Sequence, residues 1–257
     1  WKFNIVLPLV LSCVVLVLAV LAPFVYDDEK KAGAGKGADA NEIQAEIEAG
    51  KARQLVAPGA FTKLITYFYA FLVMAVMYGA QQYTKAFGLA YCGLSEIQAA
   101  SMTTMYQVGS IVAVAFWAIM MSKLKWHPLK VLIVDSVMTV VALLGVLFIH
   151  QIAIVYAAIL LLGFGCAGGA LQTGLSVVQE FVPGPKGRNT GIYYTFMGAA
   201  SYTMPVIVGK LTVISGESAA VYTLMILMCV LAAVQAVATV YLIFRYKKVF
   251  GENPLAQ

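Results

Sequence analysis

The chain reads EFVPGPKGRNTG from Glu180 to Gly191, a short basic turn between two long apolar segments. Its two prolines end a helix and shape the turn, because proline lacks the backbone N–H that a helix interior needs. The next segment carries small residues and a further proline, at Gly191, Gly198, Pro205 and Gly209. The apolar runs on their own predict only a membrane protein, whereas this turn indicates which kind.

Composition places the whole chain in a bilayer. Of its 257 residues, 61% are hydrophobic and 11% are charged, less than half of the roughly 25% charged residues typical of soluble domains. A bilayer accepts so much apolar surface when each crossing is a helix of about 20 residues. The net charge of +5 does not indicate a nucleic-acid partner, because the basic residues lie at helix ends.

Seven apolar stretches are long enough to cross the hydrocarbon core. The sequence therefore predicts an all-α, polytopic helical bundle. The predicted spans are residues 3–26, 61–86, 98–122, 129–149, 152–181, 190–214 and 219–244.

Lysine and arginine set the expected orientation. Fourteen of the 17 basic residues fall on one side of this seven-span plan and three on the other. Because basic loops stay inside, we expect the richer side to be cytoplasmic. The N-terminus is then outside, and the C-terminus and the linker after the first span are inside, in an integral protein of the plasma or inner membrane.

The predicted domains are a first transmembrane helix (residues 1–26), a cytoplasmic linker (27–60), and a six-helix bundle with a cytoplasmic tail (61–257). Residues 30–40 of the linker are rich in Gly, Ala and Lys and read as flexible. Residues 41–49 favour a short amphipathic helix that Gly50 ends. A fully disordered linker is the alternative.

The order of elements in the chain resembles the second part of a major facilitator superfamily transporter: one helix, a long cytoplasmic linker and six further helices. The turn after Glu180 resembles the cytoplasmic loop of that family's C-terminal half. The resemblance covers essentially the whole chain and implies that these are the sixth to twelfth helices, with an N-terminal bundle as missing partner. A complete seven-helix protein is the alternative. The loop at residues 122–130 departs from the family's Gly–Asp–Arg–Gly–Arg signature, since it keeps only the basic residues.

The resemblance also implies a cytoplasmic charge network that holds one gate conformation. Glu180 and Arg188 flank the turn and are expected to pair bidentately. The simpler interpretation is that the basic residues of the turn only fix the topology. For Asp135, inside the fourth span, pairing with Lys130 or Lys123 is expected, and its rival role is that of a proton-coupling carboxylate.

Polar residues within the spans predict a solute path. Such groups need partners in lipid, so they face protein or a water-filled cavity, and in the family the matching helices line the central cavity. Hydrogen bonding between helices is the alternative for each of them. The candidates are Tyr78, Gln81, Gln82, Thr103, Gln107, Gln172, Ser176, Tyr194 and Tyr202.

Other features indicate packing. Gly165 and Gly169 form a small-xxx-small pair that lets helices approach closely. The four cysteines, at positions 13, 92, 166 and 229, are expected to be core residues rather than metal ligands or disulfides. We expect no metal, no cofactor and no catalytic residue.

The expected function is secondary transport of a small organic solute by alternating access, with possible proton coupling implied by the resemblance. Because no Arg, Lys or His lies mid-span, either the solute is neutral or weakly polar, or the charge that binds it lies in the missing half. A seven-transmembrane receptor fits the orientation. It is disfavoured because the last span has no Lys for a retinal and no Asn–Pro–x–x–Tyr, and because no Asp–Arg–Tyr follows the third span. An intramembrane enzyme would need a cluster of His, Asp or Glu, and the spans offer only Asp135 and Glu180.

Overall fold

The computed structural model describes residues 40–256. The first predicted span (3–26) and the flexible part of the linker (up to residue 39) lie outside this range. The contacts discussed below fall within one compact unit that begins at Glu46.

Eight α-helices and one π-helical segment are described. A short linker helix is followed by six long apolar spans, the fourth of which is interrupted by the π-helical segment. The elements are α1 (Ala40–Ala52), α2 (Ala60–Tyr91), α3 (Glu96–Lys123), α4 (Pro128–Phe148), α5 (Ile152–Gly163), π1 (Phe164–Gly169), α6 (Ala170–Phe181), α7 (Lys186–Ser215) and α8 (Glu217–Phe250). Six of these spans, with α5, π1 and α6 as one, are long and apolar enough to cross a membrane. The predicted all-α membrane bundle is therefore confirmed.

Local sequence signals account for several helix ends. Ser95 caps α3 and exchanges hydrogen bonds with Gln98, which satisfies two otherwise unpaired amides. Pro128 occupies the first turn of α4, where its missing N–H costs nothing. Gly251 ends α8 with a φ of 73°, a left-handed conformation that glycine adopts without penalty.

Several helices run beyond their predicted ends. α8 continues to Phe250 rather than residue 244. Its extra turns are basic, and they bury Tyr246 and Val249 against the bundle. Lysines in the last turn also interact favourably with the helix dipole. In the linker, α1 passes through Gly50 to Ala52 rather than ending at the glycine, where Gly50 faces Pro183.

The bundle is built around α2. This helix packs most extensively on α7 and α8, while α3 packs on α5 and π1, and α4 packs on α8 and on the interrupted span. Half of the most apolar stretch of α4 and of the interrupted span is buried inside the bundle, against 22% for α3 and 22% for α7. α3 and α7 therefore present the most open faces.

Small residues act differently on two helices. Gly165 and Gly169 face α4 closely, as the small-xxx-small pair predicts. On α7, by contrast, Gly191, Gly198 and Gly209 have open space where a side chain would stand. The small residues of α7 thus lie on its outer surface and do not serve packing within these six helices.

Candidate functional site

None of the nine predicted path residues is buried. Tyr78, Gln81 and Thr103 are half-buried. The exposed ones are Gln82, Gln107, Gln172, Ser176, Tyr194 (53%) and Tyr202 (76%). Among the described residues no hydrogen bond joins path residues of different helices. The structure therefore leaves these polar groups open on the surface of the bundle.

α6 separates its polar and apolar residues most sharply among the spans. Gln172 and Ser176 are exposed one turn apart, and the Ser176 hydroxyl donates to the Gln172 carbonyl at 3.4 Å. The opposite face, with Gly174 and Val178, is buried against α2 and α7. This two-faced pattern gives α6 one side for packing and one side free for other contacts.

The linker corner, defined here as the ends of α6 and α8 with the loops beside them, differs from its prediction. The Glu180 carboxylate lies 3.7 Å from His127 Nε2 and under the electrostatic influence of Arg53. No ion pair joins Glu180 to Arg188 in the described part of the chain. The two prolines turn the chain so that α7 begins at Lys186, and Arg188 is exposed in its first turn. The predicted bidentate pair is therefore wrong.

His127 is the residue that sequence reasoning missed at this corner. It caps α4, with Nδ1 accepting a hydrogen bond from the Leu129 amide at 3.2 Å. Its ring packs edge-on against Tyr246, 4.6 Å between centroids. Burial lowers the pKa of His127 below its ordinary 6.5, and Glu252 partly offsets this. The sequence did offer a signal for this capping role, since the histidine directly precedes a proline that begins a helix.

Asn189 is a second residue that the sequence analysis missed. It is 1% exposed, and its side chain donates to the Val182 carbonyl at 2.6 Å and accepts from Tyr67 Oη at 3.0 Å. These two bonds tie the turn before α7 to α2. Asn189, and not Arg188, therefore holds the turn.

The linker end contacts the same corner. The Gln54 side chain donates to the carbonyls of Glu180 (3.2 Å) and Phe181 (3.3 Å), and the Leu55 amide donates to the Val249 carbonyl at 2.7 Å. Because the last carbonyls of a helix lack partners within it, these bonds cap α6 and α8. A cavity of about 310 Å³ lies beside them, lined by Gly50, Arg53, Ser176, Gln179, Glu180, Tyr246 and Phe250.

Asp135 lies deep in the bundle with a fully buried side chain. Neither carboxylate oxygen has a hydrogen-bond partner, and no ion pair with Lys130 or Lys123 exists among the described residues. Lys130 instead places its ammonium 4.6 Å from the centre of the Trp126 ring. The expected pairing of Asp135 is therefore wrong, because α4 directs its carboxylate inward to π1 rather than along the helix to the loop.

A polar network lies beside Asp135 on the α2–α8 side. Gln235 donates to Tyr69 Oη at 3.1 Å and to Ser136 Oγ at 3.4 Å, and the Ser136 and Thr239 hydroxyls lie 3.3 Å apart. All four side chains are buried. Such bonds link α2, α4 and α8 inside the bundle, and they explain why these polar residues occur inside apolar runs.

Comparison with known proteins agrees with this architecture. The sequence model described as Major Facilitator Superfamily matches residues 1–201 and 89–255. The chain is 27% identical over 164 residues to the inner membrane transport protein YdiN of Escherichia coli strain K12, covering 64% of this chain and 38% of that protein. It is 29% identical over 144 residues to YdiM of the same organism, covering 56% of this chain and 35% of the relative.

A third relative comes from a distant bacterium. The uncharacterized MFS-type transporter YfkL of Bacillus subtilis strain 168 is 26% identical over 160 residues, which cover 62% of this chain and 39% of YfkL. The chain thus spans under two fifths of the length of the curated relatives it matches. Because the family model matches well over half of the chain, the chain belongs to the major facilitator superfamily.

Proposed function

We propose that the protein is a secondary active transporter that moves a small organic solute across the membrane by alternating access, coupled to protons. Membership of the family supports the transport class. The names of YdiN and YdiM, both inner membrane transport proteins, support the inner membrane as its location.

One observation carries the proposal: polar side chains at membrane depth are exposed on α2, α3, α6 and α7. Amide and hydroxyl groups facing hydrocarbon cost free energy, so in a membrane they face protein or a hydrated cavity. The partner that fits is an opposing helical bundle, with the solute held between the two bundles near the mid-membrane. On this proposal the described six-helix unit is the C-terminal half of the carrier.

The chemistry of this face favours an uncharged solute. The nine path residues offer amides, hydroxyls and aromatic rings and include no cation. Aromatic faces with a few amide groups suit sugars or other neutral polar molecules better than phosphates or carboxylates, for which arginine is the usual ligand. A charged solute would need its counter-charge from the opposing bundle.

The linker corner is proposed as a gate on the cytoplasmic side. Glu180, His127 and Arg53 bring titratable and charged groups together at the ends of α4, α6 and the linker. The cavity beside them reaches Ser176, one of the proposed path residues. On this proposal the linker and the C-terminus are cytoplasmic, and contacts at this corner favour one state of the alternating-access equilibrium.

Uptake by the full-length protein in proteoliposomes tests the function. A panel of sugars, organic acids and drugs is offered with and without an imposed proton gradient. We expect at least one solute to accumulate, and a protonophore to abolish the accumulation. A panel that is wholly ignored, or accumulation that a protonophore leaves intact, would contradict the proposal as stated.

The placement of the path has its own test. Changing both Gln81 and Gln172 to Ala removes two amides, each worth about 0.5–1.5 kcal/mol as a hydrogen-bond partner, so KM should rise about 5- to 100-fold. The control is Ile111→Ala, which removes an exposed apolar side chain of α3 and should leave KM unchanged. Equal KM values for parent and double variant would show that the path lies elsewhere.

A further inference from the structure

The carboxyl group of Asp135 has a setting that packing does not explain. Its side chain is fully buried, and both oxygens lack a hydrogen-bond partner. The indole Nε1 of Trp117, on α3, is likewise buried; it makes no well-formed hydrogen bond, yet it lies close enough to the Asp135 carboxylate to interact with it. Both groups border the same small space beside Gly169. A Cβ added to this glycine would contact Asp135 Oδ2 and would lie 2.7 Å from Trp117 Nε1. A buried acceptor and a buried donor therefore face the last residue of π1.

Within residues 40–256, no charged group faces this carboxylate from the elements packed around it. The titratable groups under its electrostatic influence are Tyr69 of α2 and Cys166 of π1, and Tyr106 of α3 lies next to Cys166. These are neutral phenol and thiol groups. Among the described residues, no Lys, Arg or His pairs with Asp135. A permanently ionised carboxylate here would be buried without compensation, which proteins avoid.

The surroundings suit a proton better than a metal ion. Sodium or a divalent cation needs several oxygen ligands. A side-chain hydroxyl on the same helix, Thr139 Oγ1, already donates to the Asp135 backbone carbonyl at 2.8 Å. The indole N–H of Trp117 is a donor only, which repels a cation but stabilises an ionised carboxylate.

We propose that Asp135 is a proton-binding site, walled by Trp117 and Gly169, in which the carboxylate takes a proton from water and returns it to water. One O–H bond forms on uptake and breaks on release, so no redox partner is required. The Trp117 N–H is the donor for the ionised state. This inference deepens the proposed function by naming the residue that carries the coupled proton, yet its test needs no transported solute.

The site borders the same stretch of the interrupted span that carries part of the proposed solute path. Gly169 borders Asp135, and Gln172 follows three residues later on the exposed face of α6. π-helical turns inside α-helices occur frequently at functional sites. A change in the protonation of Asp135 therefore acts on the same short stretch of backbone that presents the path amides.

Infrared difference spectroscopy of the purified full-length protein in liposomes, titrated with pH, tests the proposal. We expect a carbonyl band of a neutral carboxylic acid that appears on acidification. The band should be lost in Asp135→Asn, shifted but still titrating in Asp135→Glu, and unchanged in Glu217→Gln, which alters an exposed acid at the start of α8. A parent protein without such a band, or a band that survives in Asp135→Asn, would overturn the proposal.

A second variant keeps the carboxyl group and so does not depend on the folding of Asp135→Asn. Trp117→Phe removes the donor to the ionised form, so the midpoint of the band should move to higher pH by about one to two units. Trp126→Phe is the control and should leave the midpoint in place. An unmoved midpoint in Trp117→Phe, or a midpoint that depends on sodium concentration, would contradict the assignment. Loss of proton-driven uptake with an intact infrared titration would instead count against the proposed transport function.

Discussion

Glycine sets how closely α3 approaches the interrupted span. A Cβ on Gly109 would collide with the Leu160 carbonyl, and a Cβ on Gly163 with the Tyr106 carbonyl. Each helix thus presents a glycine to the backbone of the other. In a membrane, where apolar burial gives no drive for helices to associate, such close approach supplies much of the packing energy.

Replacing Gly163 by Ala is expected to destabilise the bundle. The added methyl group meets backbone, which cannot rotate away, and overpacking of this kind costs about 1–3 kcal/mol. Thermal unfolding of the purified protein in detergent should show a Tm several degrees below that of the parent. Gly187→Ala is the control, because nothing lies near its Cβ position. Equal Tm values for both variants would contradict the close contact.

A pH prediction concerns His127. Because burial lowers its pKa below 6.5, the unfolded chain takes up a proton at higher pH than the folded one. Acidification therefore favours unfolding, and this part of the stability is lost as the pH falls from about 6.5 towards the lowered value. Glu252 offsets the effect of burial on the pKa of His127 only in part.

The matched variant is His127→Asn, which keeps a side-chain acceptor for capping α4 but does not titrate. Unfolding temperatures measured at about pH 7.5 and about pH 5.5 should fall more in the parent than in the variant. Equal losses in both proteins would show that His127 does not contribute to the acid sensitivity.

For single residues, the sequence predicted which side chains are unusual better than it predicted which side chains they contact. Asp135 and Glu180 were correctly singled out as unusual, since charged groups inside apolar runs are costly. Their predicted partners were wrong, because the direction of a side chain depends on helix rotation and on the exact turn that follows. The Glu180 partner, His127, lies 53 positions earlier in the chain, and no local pattern joins them.

Among the elements, the end of the linker joins the C-terminal ends of two spans. Gln54 caps α6, and the Leu55 amide caps α8. These bonds attach residues 54 and 55 of the linker to the bundle. The attachment is polar and partly exposed, so each bond contributes modestly.

Gln54→Ala is expected to loosen this attachment. The two carbonyls of α6 lose their side-chain partner, at a cost of about 0.5–1.5 kcal/mol. Amide hydrogen exchange at residues 54–56 should then become about 2- to 12-fold faster. The control is Gln44→Ala, an exposed position of α1, which should not change that rate. Exchange that is as slow in Gln54→Ala as in the parent would contradict a capping role.

Hydropathy predicted where the six described spans lie, because each is a continuous apolar run bounded by Gly, Pro or charged residues. The interruption at π1 was not predictable. Phe164–Gly169 contains three glycines that fit close helix packing equally well, and only contacts with α3 and α4 show where the helix widens. Helix ends were missed where buried aromatic residues continue past the apolar run, as in α8.

At the scale of the whole molecule, packing within the six helices does not explain why the outer faces of α3 and α7 are so exposed. The sequence indicated polar path residues by type, and the structure shows them open. Their arrangement around a solute was beyond sequence reasoning, since it depends on how the spans rotate against each other and on an opposing surface.

The proposed orientation leads to a labelling prediction. In a cysteine-free background, Gln151→Cys in the loop between α4 and α5 should react with a membrane-impermeant maleimide on intact cells. Ser122→Cys, near the end of α3, should react only after the cells are permeabilised. Both positions are exposed, so access to the thiol does not limit the reaction. The reverse pattern would place the basic loops outside and invert the topology.

The π-helical segment also fixes the direction in which α6 presents its amides. A π turn holds one more residue than an α turn, and each residue of an α-helix advances the chain by about 100° around the axis. If Phe164–Gly169 became a regular α-helix with all its residues kept, the extra residue would therefore swing Gln172 and Ser176 by about 100°, more than a quarter of a circle, relative to α5. Both side chains would then point at a different neighbour while every side chain in the span stayed chemically the same.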